Sequence, residues 1–316
     1  MERLRVFTIL GLMSIVAGCQ RNDSGISRPD LSNRKARVVA TTGMIADAAR
    51  EIAGDHIELE CLLGPGGDPH KYYPAYSDNA KLAKADLILY NGLELEAKMG
   101  EIFEERAKKV RTVAVGNAIP TELLRQPEPG FEGTHDPHIW FDVMLWSKAV
   151  EKVRDALIEL DPAHADTFGA NATKYLDKLK ALDAEVRELA LKIPADKRVI
   201  ITAHDAFGYF GRAYGFEVKG LQGTSTATQT GTQSVQELAK LIGSRQIPVI
   251  FGETSVPDEG IIAVLEAVNS QYPNHRVKLS DARLYSDALG DPGTEGGTYV
   301  GMVRHNIRTI VNALAP

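Results

Sequence analysis

Three histidines and one aspartate stand in loops that each follow an apolar run. His70 lies in Gly67-Asp68-Pro69-His70-Lys71-Tyr72-Tyr73-Pro74, after the run at 57–63. His138 lies in His135-Asp136-Pro137-His138-Ile139-Trp140-Phe141-Asp142. His204 follows Val199-Ile200-Ile201-Thr202-Ala203 and precedes Asp205. Asp287 lies in Leu284-Tyr285-Ser286-Asp287-Ala288-Leu289-Gly290. Neutral imidazoles with one carboxylate form a donor set of borderline softness, suited to a first-row ion such as Zn2+, with Mn2+ as the alternative. A lone histidine after a strand is more often an ordinary polar loop residue. The repetition at three such places is what raises the metal reading. His135, spaced His-x-x-His with His138, either supplements the set or is plain loop. Ligating imidazoles commonly donate their second nitrogen to a carboxylate, and Glu253 and Asp205 are the candidates for that role.

Four loops meet only if a scaffold brings them together. From Arg37 the chain alternates short β-rich runs with helical ones. Strands are expected at 38–41, 56–63, 86–90 and 111–115, with helices at 44–52, 77–84, 94–108 and 142–160. Ser77 and the pair Asp161-Pro162 read as helix starts. Phe168, Ala172, Tyr175, Leu179, Leu182, Val186, Leu189 and Ile193 then recur at steps of four and three, predicting one long helix over 162–193. The alternation restarts with strands at 198–203, 216–220, 248–251 and 276–279. Helices are expected at 206–214, 234–244, 258–270 and 299–314. Residues 223–232, rich in Gly, Ser and Thr, read as a mobile loop. The pattern predicts an α/β protein of two lobes, each with a roughly four-stranded parallel sheet flanked by helices, joined by one long helix. The lobes span 37–160 and 195–316, and the connector spans 161–194. Ligands of open parallel sheets bind beyond the carboxyl ends of the strands. Two candidate ligands per lobe place the ion in the cleft, and a helix bracing both lobes resists hinge closure.

The totals narrow the function. Hydrophobic residues at 44% and charged residues at 25% are ordinary globular values and argue against disorder. A net charge of −6 argues against a nucleic-acid partner. The first residues are basic on balance, 6–17 are almost wholly apolar, and Val16-Ala17-Gly18-Cys19 resembles a bacterial lipobox. A signal peptide over 1–18, lipid on Cys19 and a flexible tether over 19–36 follow as expectations. They put the chain outside the cytoplasm on a bacterial membrane. Cys61 is then the one other cysteine, so no intrachain disulfide is expected. It reads as a small buried hydrophobe.

The motifs themselves carry a resemblance. Gly67-Asp68-Pro69-His70-x-Tyr72-x-Pro74 and Ala85-Asp86-Leu87 with Gly92-x-Glu94-Leu95-Glu96 resemble the zinc/manganese-binding proteins of bacterial ABC importers. So do Asp136-Pro137-His138-x-Trp140-Phe141-Asp142, Thr202-Ala203-His204-Asp205-Ala206-Phe207-Gly208 and Leu284–Gly290 with Gly297-Thr298-Tyr299. Within them the TroA-like group is the nearest type. The resemblance implies His70, His138, His204 and Asp287 as ligands, and a long helix between lobes. It also implies a monomeric solute-binding lipoprotein, not an enzyme, that hands its ion to the membrane subunits of an ABC permease. Many manganese-dedicated members carry Glu where this chain has His204. Many zinc-dedicated members carry a His-rich insertion that 116–134 lacks. Two other functions compete: a metal-dependent hydrolase, which needs a position left open to water, and a surface adhesin with a structural metal. No His-Glu-x-x-His motif supports the first.

Overall fold

The computed structural model describes residues 28–126, 134–228 and 230–315. The expected signal peptide, Cys19 and the first half of the tether, 19–27, lie outside the described residues. The end of the tether is docked rather than loose. Arg34 grips Asp86 with two hydrogen bonds, at 2.5 and 2.8 Å, and Leu31 packs on the core. A bidentate guanidinium–carboxylate pair fixes direction as well as distance.

The first half is one parallel sheet. Strands β1 (Ala36–Ala40), β2 (Ile57–Cys61), β3 (Leu87–Tyr90) and β4 (Arg111–Ala114) lie in the order β2-β1-β3-β4. Successive side chains take opposite faces. Val38, Ala40, Leu87 and Leu89 therefore join the main core. Val39 and Ile88 join a smaller one with Leu82 and Phe103. Helices α1 (Gly43–Ala53), α2 (Tyr76–Lys84) and α3 (Gly100–Ala107) connect the strands. Ser77 does not start α2: the helix begins a residue earlier, and Asp78 in its first turn accepts from Ala75 N at 2.9 Å. Nor does α3 begin at 94. Gly92, Leu93 and Glu94 all have positive φ, which no right-handed helix admits.

Helix α4 (Val143–Leu160) is capped by Asp142, whose Oδ1 accepts from Met144 N and Leu145 N at 3.1 Å. A short turn at Pro162–His164 follows, then α5 (Ala165–Ala190). The long helix is thus shorter than the apolar stripe suggests. Asp161 turns its carboxylate to His164 Nδ1 at 2.7 Å instead of capping it. At 26 residues α5 is still about 39 Å long. Its stripe from Phe168 to Val186 is fully buried. It packs against α1, α4 and the last helix, α9 (Tyr299–Leu314).

The second half has strands β5 (Val199–His204), β6 (Glu217–Gln222), β7 (Val249–Ile250) and β8 (Lys278–Leu279). They form two parallel pairs, β5-β6 and β7-β8, instead of one continuous sheet. A backbone bond from Phe251 N to Ile201 O at 2.8 Å still holds the pairs side by side. Helices α6 (Gly208–Tyr214), α7 (Thr232–Arg245) and α8 (Glu259–Gln271) complete it. Residues 223–228 are less free than their composition suggests, because Thr224 and Thr226 are buried. No helix among the described residues is long and apolar enough to cross a membrane.

Candidate metal centre

Each half delivers two of the four candidate residues. In the first half, His70 stands in the loop after β2. His138 opens the short turn at Ile139–Phe141 that leads into α4. In the second, His204 is the last residue of β5, a strand buried along its whole length. Asp287 follows β8, in a stretch held beside Glu253 by the bridge Glu253–Leu284. Cross-ties set their positions. Trp140 Nε1, from the His138 turn, donates to Ser286 O at 3.0 Å, and Asp287 N donates to Ser255 Oγ at 3.2 Å.

The structure brings all four together. Their donor atoms lie within 4.8 Å of one another, and none of the four residues is more than 3% exposed. The Nε2 atoms of His70 and His138 are 3.3 Å apart. His138 Nε2 is 3.4 Å from Asp287 Oδ1. His204 Nε2 and His70 Nε2 are 3.2 and 3.8 Å from Asp287 Oδ2. A tetrahedron built on bonds of about 2.0–2.1 Å has edges of about 3.3 Å, so these separations suit a single small cation. Both Asp287 oxygens and His204 Nε2 are buried with no hydrogen-bond partner among the described residues. Buried polar atoms are rarely left so, and a cation at their centre would satisfy all three.

Protons compete for the same atoms. Burial would lower His138, but Asp136, then Asp287, outweigh it and raise the imidazole to about 9. Burial also opposes charge on His204, yet Glu253 and Asp287 raise it well above its ordinary value. His70 goes the other way, pushed to about 3 by burial and by its imidazole neighbours against the pull of Asp287. Burial works against ionisation of Asp287, but the His204 and His138 rings hold its carboxyl well below the usual range.

Of the two expected supporting carboxylates, one stands behind a ligand. Glu253 Oε2 is 2.7 Å from His204 Nδ1, and Oε1 accepts the His204 backbone N–H at 2.9 Å. For Asp205, Oδ2 is 4.0 Å from Arg125 Nη2. The partner of His138 is Asp136, at 2.8 Å from Nδ1. It sits inside the quoted Asp-Pro-His motif, where its backbone turn is legible but its reach to the ring is not. Arg125 pairs with the far oxygen of Asp136. This arginine comes from the stretch that reads as plain loop. Gly208 makes room for it, since a Cβ there would stand 1.4 Å from the guanidinium. His135 is outside the four-residue group. His275 and His305 are tied to backbone carbonyls. Cys61 is half-buried, its Sγ 3.1 Å from Leu63 O, and burial pushes the thiol up to about 11.

Comparison with known proteins agrees with the fold. The family model described as "ZnuA: Zinc-uptake complex component A periplasmic" matches residues 38–313, and the chain belongs to that family. It is 48% identical over 289 residues to the zinc-binding protein TroA of Treponema pallidum (strain Nichols), covering 92% of each chain. It is 43% identical over 312 residues to the manganese-binding lipoprotein MntA of Bacillus subtilis (strain 168), covering 96% of this chain and 99% of that one. The solved structure of the periplasmic zinc-binding protein TroA from Treponema pallidum superposes with a TM-score of 0.86 at 49% identity. That match covers 89% of this chain and 100% of the other.

Proposed function

We propose that this chain is an extracytoplasmic solute-binding lipoprotein. It captures a divalent transition metal on His70, His138, His204 and Asp287 and delivers it to the membrane subunits of an ABC permease. The observation that carries this reading is the convergence of four buried donor residues, from both halves, with their donor atoms within 4.8 Å of one another. The halves 37–160 and 195–316 act as lobes braced by 161–194, and lipid on Cys19 holds the protein at the membrane as a monomer. The names of the relatives support transport. No feature of the site favours hydrolysis: with four protein donors on the ion, no position remains at which water is activated.

The ion is Zn2+ in preference to Mn2+. Nitrogen-rich sites follow the usual divalent order, in which zinc outranks manganese. Competition titration of the purified protein is the test. Uptake of neither ion overturns the reading, and tighter Mn2+ than Zn2+ overturns the choice of ion. His204→Glu should move the balance toward Mn2+, because carboxylate oxygen suits the harder ion. Cys19→Ser should release the protein from membranes, and unchanged partitioning would remove the anchor.

A further inference from the structure

A solvent-connected cavity of about 370 Å³ touches the buried centre at one of its four residues, His70. His70 lines it together with Glu94, Lys98, His135, Pro137 and Thr224. The backbone at its rim is costly. Gly92, Leu93 and Glu94 have φ of +77°, +54° and +64°, and left-handed backbone is unfavourable for L side chains other than glycine. A buried carboxylate holds the turn in place. Glu96 accepts from Thr41 Oγ1 at 2.6 Å, Asn91 N at 2.8 Å and Gly92 N at 3.1 Å. Asn91 Nδ2 ties the turn to Pro137 O at 3.0 Å, one residue before His138. The result is an exposed Glu94 whose Oε2 accepts from Thr134 N at 3.4 Å, next to His135. The one cationic side chain named among the lining residues, Lys98, has its ammonium over the Tyr73 ring, 5.8 Å from the centroid. Strain maintained by so many bonds commonly marks function.

We infer that Glu94 and His135 form an outer transit site for a hydrated divalent cation. There the ion exchanges its first waters for a carboxylate and an imidazole before His70 takes it inward. The inference rests on the functional reading above. A group that eases only passage speeds entry and exit alike and leaves the equilibrium untouched. In stopped-flow loading and chelator-driven unloading of the mature chain with Zn2+, Glu94→Gln and His135→Ala should each slow both rates by about 10-fold, the effect of about 1.4 kcal/mol on a barrier shared by entry and exit. Kd should stay within about twofold, because a change in a shared barrier cancels from the ratio of the two rates. Glu94→Asp should recover most of the loading rate. Glu94→Gly removes the carboxylate and the strain together, so it should melt higher than the parent while loading slowly. Unchanged rates in Glu94→Gln and His135→Ala, or slower loading with unchanged release, overturn the transit site. A parent chain that takes up no Zn2+ overturns the functional reading instead.

Discussion

Asp68-Pro69-His70 and Asp136-Pro137-His138 are the same tripeptide, folded alike at the backbone. In each, the aspartate Oδ1 accepts from the histidine N–H two residues on, at 3.0 Å, as an Asx turn does. The side chains then diverge. Asp136 also meets the ring of its histidine, and Arg125 takes its other oxygen. Asp68 gives its second oxygen to Thr226 Oγ1 at 2.6 Å, with Lys71 Nζ at 3.5 Å. One imidazole is raised to about 9 and the other lowered to about 3. The tripeptide decides where an imidazole stands. Burial, and whether the tripeptide's own aspartate also meets the ring, decide how tightly it holds a proton, and therefore how it trades that proton for a metal.

The largest expected effect removes what both loops share. Asp287→Ala strips the anion facing His70 and His138 alike, and loss of one partner of a buried pair costs about 3–5 kcal/mol. Zn2+ affinity should fall by about two to four orders of magnitude by that estimate, and full affinity in this variant would show the centre misassigned. Next, the paired variants Asp136→Asn and Asp68→Asn separate the loops. The first should weaken Zn2+ by about 10–100-fold, as loss of a carboxylate behind a ligating histidine does. The second should cost far less, because Asp68 supports position alone. Equal losses in titration would break the comparison.

Proton release gives a smaller, signed test. A coordinating imidazole must be neutral. At pH 7 His138 and His204 carry protons that the ion must displace, whereas His70 carries none. Affinity should therefore rise with pH through neutrality toward about 9, with about two protons released per ion. This places the window above pH 6, where unperturbed histidines would put it. Calorimetry in buffers of different ionisation enthalpy counts the protons, and three would mean that His70 is not held neutral. Asp136→Asn should lower the count. Thr226→Val should have the smallest effect. It removes one hydrogen bond between the halves, about 1 kcal/mol, and should speed metal release by about fivefold at that energy without altering proton release.

The four candidate ligands were legible in the sequence because their loops come between a strand run and the next helix or the chain's last signature, and the positions of eight strands and the apolar stripe of α5 were legible by periodicity. Other features depend on geometry that periodicity does not carry. Arg125 lies in a featureless loop, and only the space left by Gly208 shows its seat. The left-handed turn at 92–94 has two side chains that ordinarily avoid it, and its cause, Glu96, reads locally as one more helical acid. The split of the second-half strands into pairs follows from β7 and β8 being two residues each, too short for alternation to register.

The core around α5 bears on how the cargo leaves. Met44, Trp146, Leu179, Met302 and Ile310 belong to one continuous apolar body that passes from α1 and α4 through α5 to α9. Opening about 300 Å² of such contact costs roughly 7 kcal/mol at ~25 cal/mol per Å², comparable with the whole stability of an ordinary domain. A jaw that yawns open is therefore too expensive a way to let go. On that estimate the frame is expected to stay a fixed chassis, with unloading left to the four loops it carries. A permease that empties this protein would then work as a locksmith on those loops rather than lever the halves apart.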